Sequence, residues 1–148
     1  MGLRCASCGV RTNPTAVGTI TLDFTDGGSR TGTLTLDIDV CADRLGTSTV
    51  FATFEDLSGI DPNRSFTFTS TSITSVLCTP ENENCLVNIQ GMGLVSGEMA
   101  PRNFLILLSN VPNPANDQIL IIRILDYVIN EISADLTPDL TFFGCPTT

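Results

Sequence analysis

The sequence predicts an all-β domain: a jelly-roll-like sandwich of two sheets, about eight or nine antiparallel strands, behind an extended N-terminal arm. Three observations predict it. Apolar residues recur with period two over most of the chain, as in strands with one buried and one wet face. Clusters of Gly, Pro, Asn and Asp separate these runs at short intervals. The chain of 148 residues is 42% hydrophobic and 16% charged, which suits one folded core under a surface rich in Ser, Thr and Asn. Residues 1–15 are expected to form the arm and residues 16–148 the β-domain.

In the first hairpin Ile20, Leu22 and Phe24 alternate with Thr19, Thr21 and Asp23. After the Asp26-Gly27-Gly28 turn, Leu34, Leu36, Ile38 and Val40 alternate with Thr33, Thr35, Asp37 and Asp39. Residues 49–55 and 65–77 follow as strands, the second carrying a β-branched Ser/Thr tract. Residues 86–90, 94–99 and 104–110 supply more, with Gly91 and Gly93 predicting a bulge or tight bend between the first two. Residues 58–63, 79–84 and 111–117 contain Pro62, Pro80, Pro112 and Pro114 and are expected to be turns that no central strand continues through.

Residues 118–135 are ambiguous. Ile121, Leu125, Val128 and Ile132 fall at helical spacing, yet residues 119–124 are densely β-branched, as in a fully buried strand. A strand through Leu125 followed by a helical turn is the expectation, with residues 140–143 as a short last strand.

Charge and composition exclude several function classes. Sixteen acidic against seven basic residues give a formal charge of −9, which repels phosphate backbones and anionic lipid, so neither nucleic acid nor membrane insertion is expected. The longest apolar runs, residues 104–108 and 119–122, end at Ser109 and Arg123. Both are far shorter than the ~18–20 residues of a membrane-spanning helix. The first residues have no signal-peptide core, and Ala6 breaks the myristoylation pattern. Export without a classical signal, or after removal of a leader, is expected.

Histidine is absent, which removes the commonest general base and rules out Ser-His-Asp or Cys-His chemistry within one chain. Asp37, Asp39 and Asp43, then Asp56 and Asp61, then Glu81 and Glu83 lack EF-hand spacing and are expected to be solvated strand faces and loops. No catalytic residue, cofactor or metal site is expected.

Six cysteines remain. Cys5 and Cys8 would supply half of a zinc site, but no second closely spaced pair follows, and they open no helix as a redox pair would. Disulfides fit better. Cys78 and Cys85 bracket a loop between strands and are expected to close it within the subunit. Cys5 and Cys8 lie on an arm with few apolar anchors, and bonds within the subunit or to another subunit are both open.

This arm, β-domain and cysteine placement resembles the endospore appendage subunits, which build pilus-like fibres on Bacillus-group spores. The resemblance implies that Cys5 and Cys8 reach into other subunits and bond to acceptors matching Cys41 and Cys145. Cys78 and Cys85 have no counterpart in that arrangement. The expected function is thus a self-assembling, non-enzymatic subunit of an extracellular or spore-surface fibre, partnered by copies of itself in a helical homopolymer. The alternative is a monomeric β-sandwich binding module with only internal disulfides, for a carbohydrate or a surface protein. Against carbohydrate, the chain has no Trp and a single Tyr, Tyr127, to stack on a sugar.

Overall fold

The computed structural model describes residues 8–81, 84–110, 117–130 and 133–144. These residues are all-β apart from one 3-10 turn at Leu45–Thr47. The strands are β1 Gly9–Arg11, β2 Ala16–Phe24, β3 Ser29–Cys41, β4 Thr49–Asp56, β5 Phe66–Glu81 and β6 Asn84–Val95. They continue as β7 Arg102–Asn110, β8 Gln118–Ile124, β9 Val128–Asn130, β10 Ala134–Asp135 and β11 Thr141–Phe143.

The expected jelly-roll sandwich is replaced by a closed barrel. From β2 to β9 each strand pairs antiparallel with the next, and β9 returns to β2 through Asp23↔Ile129 and Phe24↔Val128. The result is an eight-stranded up-and-down barrel with no crossover of the kind a jelly roll needs. Alternation alone does not separate the two architectures, because both put one face of every strand into a core. Closure is set by which strands meet. Over the length of β3, Leu36 faces Ala16 of β2 on one side and Ala52 of β4 on the other. Beyond the ring, β1 continues the line of β2 along β3 and is flanked by β11, while β10 extends β9 along β8.

The inward positions fill the barrel. Leu22, Leu34, Leu36, Phe54, Val87, Leu108 and Leu136 are all fully buried. A barrel of this strand number is just wide enough for side chains to occupy it. Each buried Leu, Ile or Phe contributes about 1.5–3 kcal/mol relative to exposure. Outward positions on β2 to β5 carry hydroxyls, including a Thr21–Thr31 contact of 2.7 Å between neighbouring strands.

Four local expectations change. Residues 86–90 and 94–99 do not form two strands, because β6 runs unbroken from Asn84 to Val95. The irregularity lies on its partner: β5 slips register between Ser70 and Ser72 and again between Ile73 and Ser75. Glycine is needed at Gly91 because a Cβ there would strike the carbonyl oxygen of Ser72 and the ring of Phe104. Pro80 lies within β5 opposite Cys85. Among the described residues no strand pairs with β5 there on its other edge, so proline's missing N–H costs no ladder bond. After β8, Leu125, Asp126 and Tyr127 make a tight hairpin turn, not a helical one, with Asp126 at φ 59°. Gly27 and Gly28 do turn the first hairpin, at φ 121° and 86°.

The arm is also partly docked. Val10 is fully buried, and the Thr12 hydroxyl accepts from the Ile38 amide at 2.9 Å and donates to the Pro14 carbonyl at 2.7 Å. Its first seven residues, Cys5 included, lie outside the described residues.

Candidate functional site

Up-and-down topology sends alternate connections to opposite ends of the barrel, giving a cysteine end, a loop end and a wall between them. At the cysteine end, Cys8 precedes β1, Cys41 ends β3, Cys78 lies near the end of β5 and Cys85 begins β6. Cys8 bonds to Cys78, with Cα atoms 6.0 Å apart. The expected Cys78–Cys85 loop staple is therefore absent. The two residues are not directly opposed on the hairpin: Cys78 faces Val87 and Cys85 faces Pro80. Cys8, expected to reach another subunit, bonds here within its own chain. Docking of β1 beside β3, helped by the Ala42 amide donating to the Cys8 carbonyl at 2.8 Å, brings it there. Cys41 and Cys85 are disulfide-bonded as well, and Cys5 and Cys145 lie outside the described residues.

The carboxylates do not converge. Among the described residues no three of His, Cys, Asp and Glu gather closely enough to hold a metal ion. Asp37, Asp43 and Asp61 are exposed, and Asp39 pairs with Arg11 at 3.5 Å on the surface. Glu83 and the side chain of Glu81 lie outside the described residues. Asp56 departs from expectation because it is buried, 3.5 Å from the buried Arg30. It accepts from the Ser58 hydroxyl at 2.6 Å, the Ser58 amide at 2.9 Å and the Arg64 amide at 2.8 Å. These bonds, that of the Ser58 hydroxyl foremost, outweigh desolvation and hold the carboxyl below its usual range. Asp56 thus organises the β4–β5 connection from inside. The spacing Asp56-Leu57-Ser58, an Asx-turn pattern, was its signal in the sequence.

On the wall, Thr35, Thr53 and Thr67 stand side by side across β3, β4 and β5. With Thr33, Glu55 and Ser96 they line a shallow groove of about 580 Å³. The two aromatics beneath it, Phe54 and Phe66, are at most 5% exposed and offer no ring to a sugar.

The loop end is built differently. Tyr127 stands edge-on to Phe24 and Phe66, with ring centroids 5.5 and 5.1 Å away. Two arginines frame this aromatic layer. Arg64 lies 4.3 Å above the Phe24 ring and pairs with Asp26 at 2.8 Å. Arg102 lies 5.7 Å from Tyr127, pairs with Glu98 at 2.7 Å and donates to the Leu125 carbonyl at 2.8 Å. The bond with Arg102 lowers the Glu98 carboxyl, and burial raises the Tyr127 phenol. Around this centre the connections expose Leu57, Ile60, Met99 and Leu125, at 62%, 49%, 98% and 49%. Elsewhere among the described residues the exposed large apolar side chains are Val17, Phe51 and Leu77, and of these only Leu77 is as exposed. The sequence hinted at this end only by placing Leu57 and Ile60 among turn residues, whereas Met99 closes the expected strand 94–99, of which β6 keeps only Leu94 and Val95.

No family model matches the chain, and no curated protein and no solved structure matches it.

Proposed function

We propose that the protein is a non-catalytic binding module, a disulfide-stapled β-barrel that engages a surface protein through its loop end in an oxidising, extracellular setting. The observation that carries this reading is the display of Leu57, Ile60, Met99 and Leu125 around Tyr127 and its two arginines. Exposed apolar side chains on connections, centred on Tyr and Arg, have the composition of an interaction hot spot. The internal Cys8–Cys78 bridge favours this module over a fibre cross-linked through Cys8. Disulfides at four described cysteines fit a compartment outside the reducing cytosol, the spore surface included. Hydroxyl-bearing outward positions on β2 to β5 oppose insertion into lipid, where outward residues are apolar.

The fibre reading keeps one support of its own. Between Ser70 and Thr79, β5 carries no charged residue, and among the described residues no strand covers its edge away from β6. Uncovered, uncharged edges are where strands of other chains add.

Electrophoresis of native material with and without reductant, alongside intact mass and electron microscopy, separates the two. The module runs as a 15.8 kDa chain in both lanes, and its mass rises by six hydrogens on reduction, one for each cysteine. A ladder that collapses on reduction, with fibres in the micrographs, overturns it.

A further inference from the structure

The two longest apolar runs of the chain, residues 104–108 and 119–122, read as strands buried on both faces. The barrel buries only one face of each. In β7, Phe104, Ile106 and Leu108 fill the interior at 4% exposure or less, while Leu105 and Leu107 between them are half-buried on the outer wall. In β8, Ile119 and Ile122 point inward at 1%. The register slip opposite Leu107 and Leu108 turns both Leu120 and Ile121 away from the core. Leu107 faces Ile121 directly, and Leu105, Arg123 and Ile129 form the next row. This wall is thus aliphatic where the β3–β5 wall is hydroxylated.

We infer that the outer wall of β7 and β8 is the interface through which two copies of this chain pack as a non-covalent dimer. Charge points to a second copy. The chain carries 16 acidic residues, yet β6, β7 and β8 contain no aspartate or glutamate. Two chains of charge −9 repel each other over most orientations, and this wall lets them meet without opposing carboxylates. The border is self-complementary as well. Asn88 and Gln90 lie beside Leu107 and Leu105 on β6, and Asn103 lies on the same outward side of β7. A carboxamide both donates and accepts, so two identical borders related by a two-fold axis can satisfy each other. Two such walls packing face to face bury the second side that both runs call for.

Sedimentation equilibrium over a range of concentrations tests this. The wild-type chain is expected to approach twice 15.8 kDa. Leu107→Ser with Ile121→Ser raises the dissociation constant at least roughly thirty-fold, as losing one hot-spot side chain does. These outward substitutions keep the native far-UV spectrum and a cooperative melt. Thr35→Ser with Thr53→Ser on the opposite wall, and Met99→Ser at the loop end, leave the mass unchanged, so dimerisation is read separately from loop-end binding. A wild-type monomer at every concentration overturns the inference, as does a dimer that survives the double substitution. Co-sedimentation with phosphatidylcholine vesicles that the double substitution abolishes also overturns it, by assigning the wall to lipid.

Discussion

Cys8 and Cys78, 70 residues apart in the chain, join the entry to β1 to the far half of β5. The ladders of β1 run to β3 and β11, so this bond links strands that no backbone pairing joins. Arm and barrel are thereby one unit at the cysteine end.

Replacing both residues by Ser releases a loop of that length and is expected to lower stability by about 2–4 kcal/mol. A urea denaturation curve reads this directly. An unchanged midpoint would mean that β1 is held by its ladders alone.

Thr12 tests the same docking from the other side. Thr12→Val removes the oxygen that accepts from the Ile38 amide and the hydroxyl that donates to Pro14. The expected cost is about 1–3 kcal/mol, with faster amide exchange at Ile38. Exchange unchanged at Ile38 would show that the Thr12 oxygen does not protect that amide.

Asp56 makes stability depend on acid. Its carboxyl is held below the usual range in the fold by the Ser58 hydroxyl, the Arg64 and Ser58 amides and Arg30. The stabilisation is therefore complete above the unfolded pKa, about 4, and is lost as pH falls through the lower folded value. Asp56→Asn is expected to melt earlier at neutral pH and to lose less on acidification. Parallel melting-temperature profiles for the two proteins between neutrality and acid would remove Asp56 from this role.

Gly91 and Gly46 form a matched pair. A Cβ at Gly91 meets the Ser72 backbone oxygen, whereas at Gly46 it meets nothing within 4 Å. Gly91→Ala is expected to cost about 1–3 kcal/mol by overpacking, and Gly46→Ala little or nothing. Equal melting temperatures for the two variants would contradict the close approach of β5 to β6.

The strands were legible because their period-two pattern follows from burial of one face, and the Gly27-Gly28 turn because its dihedral angles suit glycine. The fate of Gly91, Pro80 and Asp56 was not. Gly91 answers a register slip on another strand, Pro80 is tolerated because its outer edge meets no described strand, and Asp56 is buried by loop residues up to eight positions away. Nor did residues 104–108 and 119–122 reveal which face would remain outside.

By itself the sequence determined an all-β chain, its alternating core positions, its acidic character and the absence of histidine chemistry. These depend on local period and composition. Only the tertiary structure decided that β9 meets β2 and closes a barrel, that Cys78 bonds Cys8 and not Cys85, and that Leu57, Ile60, Met99 and Leu125 share one end. Each is a long-range meeting between segments whose local patterns are compatible with several partners, so packing and chain closure make the choice.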